Sequence, residues 1–386
     1  MAHLAIDPVE TGTEAPRLLA ELKRYRFEDQ YHLVRSHRRF ASRELCELLC
    51  QECVRLTAVA PDRAVESAEL AVLVADVLKA EDLATTADLY QLRGYAWAHD
   101  GNARRVLGDL RNAEESFAIA ESWWDAGTRS AGDALGYEPM ILDLKASLRI
   151  SQRRFGEAFA ALDRLVVIHT GGSRPEHRDR HLAGRALVVK ALGHGEMGEP
   201  EEAIRLLEEA APLLDAPRDP RLFLCLRHNL LWNLTTIAAY AQAQRMQPEV
   251  AALCQELGNP LDLMRLRWAE ARIAAGLGHM AVAIELFQSL RRDFAERGIA
   301  YDAALVTLEL TALYAQMGAF AEVKHLSLEI AGIFESQDVP REALAALLFF
   351  QKAAERERAT AQLAREIGAF LEKLRCDPDL RFELRH

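Results

Sequence analysis

The sequence predicts an all-α protein, a superhelical solenoid of about eight antiparallel helical hairpins. The 386 residues are rich in the helix formers Ala, Leu, Glu and Arg, and they include only 21 Gly and 13 Pro. No segment shows the alternation of apolar and polar residues, bounded by turn residues, that is typical of a strand. A motif recurs every 40–45 residues, and a repeat of this length favours helical hairpins that stack and share one core.

Composition narrows the possible classes of protein. There are 47 basic and 58 acidic residues, a net charge of −11, whereas general nucleic-acid binding favours a basic surface. The sequence contains no uninterrupted apolar run of membrane-spanning length, and its first residues do not resemble a secretory signal. Six Cys in a chain of this length fit a reducing compartment. We therefore expect a cytoplasmic protein that does not bind membranes.

The first 85 residues are predicted to precede the regular repeats. Residues 1–41 form a tail and a basic helical extension, and residues 42–85 a degenerate first hairpin whose helices are Ser42–Leu56 and Asp62–Leu78. The stretch Arg17–Arg43 has eight basic residues against three acidic ones, a net charge of +5. This charge leaves two interpretations open. The stretch either binds a nucleic acid or protein partner, or pairs with acidic faces of the array.

Residues 86–340 are predicted to be the repeat array. A small residue recurs at intervals of 45, 45, 40, 40 and 40: Ala113, Ala158, Ala203, Ala243, Ala283 and Val323. Five positions before each of these anchors, a residue suited to ending a helix is expected: Gly108, Arg153, Gly198, Ala238, Gly278 and Gly318. A helix commonly ends at a left-handed residue, which is usually Gly. The small anchor then lies where the two helices of a hairpin approach most closely.

The C-terminal region is predicted to close the array. Residues 341–376 form a capping hairpin of the helices Arg341–Glu357 and Ala359–Leu374, and the second of these is polar on one side, as a terminal repeat requires. Residues 377–386 are expected to form a tail.

The repeat resembles the tetratricopeptide repeat (TPR) family, in a bacterial form with long repeats. The clearest unit has the family's residues at Trp97, Gly101, Gly108, Ala113, Phe117 and Ala120. Asp100 and Arg104 stand where the family has Leu and Tyr. A second good match is the stretch Gly195–Ala210, and the resemblance covers about Thr86–Phe370. It implies a fold of stacked hairpins that serves protein–protein interaction.

Two groups of possible metal ligands favour structural roles. Cys46, Cys50 and Cys53 have the spacing that some iron–sulfur enzymes use, but offsets of four and seven place all three on one helix face. We expect them to be core residues. His177 and His181 could form half of a zinc site, but no third ligand is evident. The sequence therefore predicts no metal, cofactor or catalytic residue.

The resemblance also implies a binding groove, because the first helix of each TPR hairpin lines the concave side. Counting from the anchors gives these candidates: His99, Asn102, Arg105, Arg185, His228, Asn229, Trp232, Arg265, Trp268 and Arg272. Acidic residues at such positions are few, namely Asp143, Glu196 and Glu309. We therefore expect a groove with net positive, amide-rich and Trp-bearing walls, which suits a protein segment or peptide with carboxylates and apolar groups.

These observations favour a non-enzymatic protein–protein interaction module, a cytoplasmic bacterial adaptor or regulator. The alternative is a transcription-linked regulator whose basic N-terminal helices contact nucleic acid, although nucleic acid is the less favoured partner. An enzyme built on the three cysteines is the least favoured class.

Overall fold

The computed structural model describes residues 14–57, 60–131, 136–171, 178–257 and 260–335, positions 347, 348, 350, 351 and 354, and residues 360–376 and 380–382. Every regular element among these residues is helical, and none is a strand. The all-α fold predicted from the sequence is confirmed. None of the described helices combines the length and apolar character that crossing a membrane requires.

Seventeen α-helices lie in the described part of the chain. Four precede the repeats: α1 (Glu14–Leu22), α2 (Phe27–Ser36), α3 (Arg43–Leu56) and α4 (Pro61–Val77). Three repeat pairs follow: α5 (Thr86–Leu107) with α6 (Leu110–Ala131), α7 (Glu138–Ser151) with α8 (Phe155–Gly171), and α9 (Arg180–Met197) with α10 (Pro200–Ala210). Three more are α11 (Pro220–Thr236) with α12 (Tyr240–Leu257), α13 (Pro260–Gly276) with α14 (Met280–Glu296), and α15 (Ala300–Gln316) with α16 (Phe320–Glu335). Helix α17 (Ala361–Cys376) comes last.

The first helix of each repeat pair ends as the sequence predicts. The residue five positions before each anchor is left-handed, with φ of 92° at Gly108, 57° at Arg153, 79° at Gly198, 60° at Ala238, 85° at Gly278 and 73° at Gly318. The next residue's N–H donates to the carbonyl five positions back, for example Asp109 to Arg104 and Ala239 to Leu234, both at 2.9 Å. This capping geometry satisfies carbonyls that the helix end leaves unpaired.

The anchor residues are core residues, and the two helices of a hairpin pack directly on each other in four pairs: α5 with α6, α7 with α8, α13 with α14, and α15 with α16. All five Ala anchors are fully buried, and Val323 is nearly so. In the first repeat pair, α5 and α6 approach very closely beside Ala113. A Cβ added at Gly101 would lie 2.6 Å from the ring of Phe117, so this contact tolerates no side chain on the first helix. In this pair, the small residues that the sequence pattern identified lie where the two helices touch.

The chain divides into two compact units. Unit 1 contains the described residues up to Gly193 together with Leu206–Cys225, and unit 2 contains His194–Arg205 and the described residues from Leu226 onward. Helix α15 is the centre of the unit 2 core, because α14, α16 and α17 all pack against it. Leu380 and Phe382, in the segment predicted as a tail, also pack against this core.

The three cysteines of α3 are core residues, as the helix periodicity predicts. Cys46, Cys50 and Cys53 are completely buried. Burial raises the pKa of the Cys53 thiol to about 12, and it also raises the pKa of Cys50. Both thiols are therefore protonated near neutral pH, a form that is neither a good nucleophile nor a good metal ligand.

Of the two histidines considered as possible zinc ligands, the structure describes only His181. His177 lies outside the described residues. The Nδ1 atom of His181 accepts a hydrogen bond of 3.0 Å from the backbone N–H of Asp215, so this ring has a structural role within unit 1. Within the described part of the chain, no three His, Cys, Asp or Glu side chains are grouped in a way that could hold a metal ion.

Candidate functional site

In unit 1, the first helices of three successive repeat pairs bring polar side chains together. Helix α5 contributes Asn102 and Arg105, α7 contributes Asp143 and Ser151, and α9 contributes Arg185. We call these five residues the arginine face. Hydrogen bonds join α5 to α7 and α7 to α9. Side chains about 40 residues apart in the sequence therefore meet on one surface, as the hairpin repeat predicts.

Neutral side chains hold the guanidinium of Arg105. Its Nε and Nη2 donate to Oδ1 of Asn102 at 3.1 and 2.9 Å, and its Nη1 donates to Oγ of Ser151 at 3.4 Å. Burial lowers the pKa of Arg105 to about 10, and the attraction of Asp143 only partly offsets this effect. Arg105 keeps its proton at neutral pH. Its positive charge is therefore largely buried, and the nearby carboxylate of Asp143 partly offsets the cost of that burial.

An ion pair anchors the other arginine of this face. Arg185 donates from Nη2 to Oδ2 of Asp143 at 3.0 Å, and both side chains are largely buried. Burial alone would lower the pKa of Arg185, but Asp143 and Asp219 more than offset it, so the pKa is raised. Asp219 also caps α11 by accepting from the N–H of Leu222 at 2.9 Å. The positive wall expected from the sequence is therefore partly neutralised by Asp143 and Asp219.

His99 does not belong to an accessible surface, which corrects its assignment to the groove. Its side chain is only 1% exposed, packs edge-on against the ring of Tyr95 at 4.6 Å, and has no hydrogen-bond partner for either ring nitrogen among the described residues. Burial lowers its pKa to about 3. The count from the anchor placed His99 on the correct helix, but the side chain points into the core.

In unit 2, two tryptophans and an arginine from the two successive first helices α11 and α13 pack together. The rings of Trp232 on α11 and Trp268 on α13 meet edge to face at 5.2 Å. The guanidinium carbon of Arg272 lies 4.0 Å from the ring centroid of Trp232 and 5.4 Å from that of Trp268. We define the tryptophan face as Trp232, Arg265, Trp268, Arg272 and Glu309. Such contacts stabilise a cation over an aromatic ring.

Glu309 of α15 balances the charge of Arg272. Nε of Arg272 lies 2.9 and 3.1 Å from the two carboxylate oxygens of Glu309, and its Nη2 lies 2.5 Å from Oε1. Burial opposes the charge on Arg272, but Glu309 and Glu372 raise its pKa overall. The sequence predicts a net positive surface here, and this expectation is corrected because Glu309 pairs with Arg272 and balances its charge.

Trp268 is a buried residue beneath Trp232, which corrects its assignment as a residue that contacts a partner. It is 4% exposed, its N–H donates to Oε1 of Glu309 at 3.0 Å, and its ring also packs against Phe294 at 5.7 Å. Trp232 is half-buried and keeps an accessible surface. Trp232 is therefore the tryptophan that a partner can contact, while Trp268 packs against it and fixes its position.

The remaining candidates lie on the same helices. Arg265 is half-buried on α13, one turn before Trp268, and no hydrogen bond or ion pair holds its side chain in the described part of the chain. It is therefore a cation that remains available to a ligand. His228 and Asn229 are half-buried on α11, one turn before Trp232.

The departures of the clearest repeat from the TPR pattern have a local explanation. Oδ2 of Asp100 accepts from Nε of Arg104 at 2.7 Å and from Oγ of Ser116 at 2.6 Å. Nη2 of Arg104 also donates to Glu69 at 2.8 Å. A buried polar network thus replaces the apolar contact of the family pattern. The spacing of four between Asp100 and Arg104 is the sequence signal for this pair.

The basic N-terminal stretch largely pairs with acidic residues of its own unit. Four of its eight basic residues form ion pairs: Lys23 with Glu52, Arg38 with Asp82, Arg39 with Glu21, and Arg43 with Glu47. The pair of Lys23 and Glu52 is 2.6 Å apart and that of Arg43 and Glu47 2.8 Å. Of the two interpretations left open by the sequence, these contacts favour pairing with acidic faces over binding to nucleic acid.

Comparisons with known proteins identify the fold. No protein-family model matches the chain, and no curated protein sequence does. Among solved structures, a Rap protein complexed with Competence and Sporulation Factor is similar with a TM-score of 0.56 and 14% identity, over 86% of this chain and 88% of its own. Aspartyl phosphate phosphatase F from Bacillus subtilis is similar with a TM-score of 0.50 and 11% identity, over 99% of each chain. The chain is therefore a helical-repeat protein with a TPR-like fold.

Proposed function

We propose that this protein is a non-enzymatic interaction module that binds an acidic segment of another protein on the first-helix faces of its repeats. The observation that carries the proposal is that Arg105 and Arg185, from two different repeats, lie on one surface and are joined to it by hydrogen bonds to Asn102, Ser151 and Asp143. A guanidinium has five donors, so an arginine can contact more than one acceptor at a time. Such bonds are strongest where the donors are partly buried and already oriented.

In unit 2, the tryptophan face is a separate surface that offers a cation and an aromatic ring. Trp232 offers a half-buried aromatic surface, and Arg265 on the neighbouring helix offers a cation without a bound acid. Trp and Arg are frequent binding hot spots because they combine a large contact area with directed donors. The preferred segment therefore carries carboxylates and a bulky apolar side chain.

The proposed cellular role is that of a cytoplasmic bacterial adaptor or regulator. One structural relative, the Rap protein, was solved with a bound factor, which supports a ligand-carrying role for this architecture. The buried, protonated cysteines support the absence of thiol catalysis.

An array of 15-residue peptides tests the proposal. The peptides vary the number of Asp and Glu residues and the presence of one Trp, Phe or Leu, and the probe is the fluorescently labelled full chain. We expect acidic peptides with one bulky apolar residue to retain the labelled chain. The affinity should fall about thirtyfold for the Arg185→Ala chain, the loss typical of a binding hot spot. The matched control is Arg111→Ala, because Arg111 lies on the second helix α6 and its side chain is 91% exposed. Equal retention of acidic and neutral peptides, or an equal loss with Arg111→Ala, would reject the proposal.

A further inference from the structure

The C-terminal helix packs on a first helix of unit 2. Four residues of α17 are almost completely buried, at spacings of three, four and three: Ala364, Ile367, Leu371 and Leu374. They belong to the same core as α15, and the hydroxyl of Tyr301 on α15 donates to the carbonyl of Leu371. The residues between them, such as Glu366 and Lys373, are exposed. Helix α17 is thus an amphipathic helix whose apolar stripe covers part of α15.

Helix α17 also reaches the tryptophan face. Oε1 of Glu372 lies 3.6 Å from Nη2 of Arg272, the nitrogen that Oε1 of Glu309 also contacts, so Glu372 is a second carboxylate at this guanidinium. The side chain of Glu372 is 49% exposed, so this pair is at the edge of the contact. Beside it in the sequence, Leu371 is fully buried. Helix α17 therefore places a carboxylate at Arg272 while the preceding residue packs in the core.

We propose that α17 is a built-in occupant of the first helices of unit 2, with Glu372 in the place of a partner's carboxylate. The inference rests on the proposed function in one respect, since a partner that binds the tryptophan face has to displace Glu372 or the whole of α17. The contact is a helix laid against a groove by an apolar stripe and held in register by a charge. The partner class that fits is an amphipathic helix with an acidic residue next to its apolar stripe.

The first experiment asks whether α17 can be replaced in trans. The probe is a fluorescein-labelled synthetic peptide of residues 360–375, and the receptors are the full wild-type chain and the full Ile367→Asp chain. Because Ile367 is 1% exposed, an unpaired carboxylate at this position is expected to release the helix. We expect the Ile367→Asp chain to remain folded and to bind the peptide more than about tenfold tighter than wild type, whose own helix competes at a high effective concentration. A peptide carrying Ile367→Asp should not bind.

Two results of this titration would overturn the proposal. One is a folded Ile367→Asp chain that binds the peptide no better than wild type. The other is a chain whose unit 2 loses its helical content altogether, since α17 would then be an inseparable part of the core.

A second measurement avoids any change to the buried stripe. Hydrogen exchange of the α17 amides is compared in wild type, Glu372→Gln and the control Glu366→Gln. Glu366 is exposed on the same helix and accepts only from Gln362, at 2.9 Å. We expect Glu372→Gln to speed exchange in α17 about two- to fivefold, the range for one half-exposed ion pair, without affecting α13. Equal rates in the two variants would contradict the role of Glu372.

The outcomes separate this inference from the proposed function. If the Ile367→Asp chain binds the α17 peptide more tightly than wild type, but no acidic peptide on the peptide array binds the chain, α17 is supported as an occupant and the proposed partner class is rejected. If acidic peptides on the peptide array bind the chain, but the Ile367→Asp chain binds the α17 peptide no better than wild type, only the inference about α17 is overturned.

Discussion

Arg185 and Asp143 form an ion pair between α9 and α7, with 3.0 Å between Nη2 and Oδ2. The pair is largely buried, so Asp143 is an internal competitor for any carboxylate that approaches Arg185. Removing one partner of such a pair leaves a costly unpaired charge, which a ligand of the right sign can compensate. The same arrangement recurs in unit 2, where Glu309 pairs with Arg272.

Among the described residues, Arg153 and Ala238 are left-handed without being Gly, and Ala238 provides a test of the hairpin turns. Ala238 has φ of 60°, a conformation that costs an L-residue about 1–2 kcal/mol, and Gly278 has the same role with φ of 85°. We expect Ala238→Gly to raise the free energy of unfolding by up to about 1 kcal/mol, because relief of strain exceeds the added chain entropy. We expect Gly278→Ala to lower it by about 1 kcal/mol. Urea unfolding of both variants measures this, and shifts of the same sign would contradict the turn geometry.

The anchor positions predict a penalty for added bulk. Ala203 on α10 is fully buried, so Ala203→Leu is expected to lower the free energy of unfolding by about 1–3 kcal/mol. Glu201 is exposed on the same helix, and Glu201→Leu should change it by less than about 0.5 kcal/mol. Equal urea midpoints for the two variants would show that the repeat register is misassigned.

The backbone features of the repeat could be predicted from the sequence, but the charge pairing of the faces could not. Helix ends and anchors follow from local rules, since a left-handed cap and a small contact residue are needed wherever a hairpin forms. The sequence also identified Asp143 and Glu309 as acidic residues on first helices. Their pairing with Arg185 and Arg272 depends on how helices about 40 residues apart are staggered, which no local pattern encodes.

His99 predicts a dependence of stability on pH. Its pKa is about 3 in the folded chain against 6.5 for a solvated imidazole, so the unfolded chain takes up the proton between these values. The free energy of unfolding therefore falls as pH drops below 6.5, by about 1.4 kcal/mol per pH unit and about 2 kcal/mol by pH 5. His181, whose pKa is also lowered, contributes with the same sign.

The matched variant for this prediction is His99→Phe, which keeps the ring contact with Tyr95 and removes the titrating group. Urea unfolding at pH 7, 6 and 5 should show a clearly smaller loss of stability for His99→Phe than for wild type. Parallel pH profiles would contradict the buried neutral state of His99. Glu52 and Glu114, with pKa values of about 2, titrate below this window.

The two sequence-based hot spots of unit 2 are expected to behave differently. Trp268→Ala removes a ring buried against Trp232 and Phe294, and should lower the free energy of unfolding by about 3–5 kcal/mol. Arg265→Ala removes a half-buried side chain without a bonded partner among the described residues, and should change it by less than about 0.5 kcal/mol. Denaturant unfolding distinguishes the two. A large loss with Arg265→Ala would show that its side chain is structural rather than available to a ligand.

Calorimetric titration of the best-retained acidic peptide against the Asp143→Asn chain tests the central claim most directly. If a partner's carboxylate binds Arg105 and Arg185 in competition with Asp143, this variant should bind the peptide several-fold tighter than wild type, although its free energy of unfolding is lower. Arg185→Ala should bind about thirtyfold more weakly, and Arg111→Ala should bind like wild type. If Asp143→Asn weakens binding, or leaves it unchanged, the carboxylate of the partner does not bind at the arginine face.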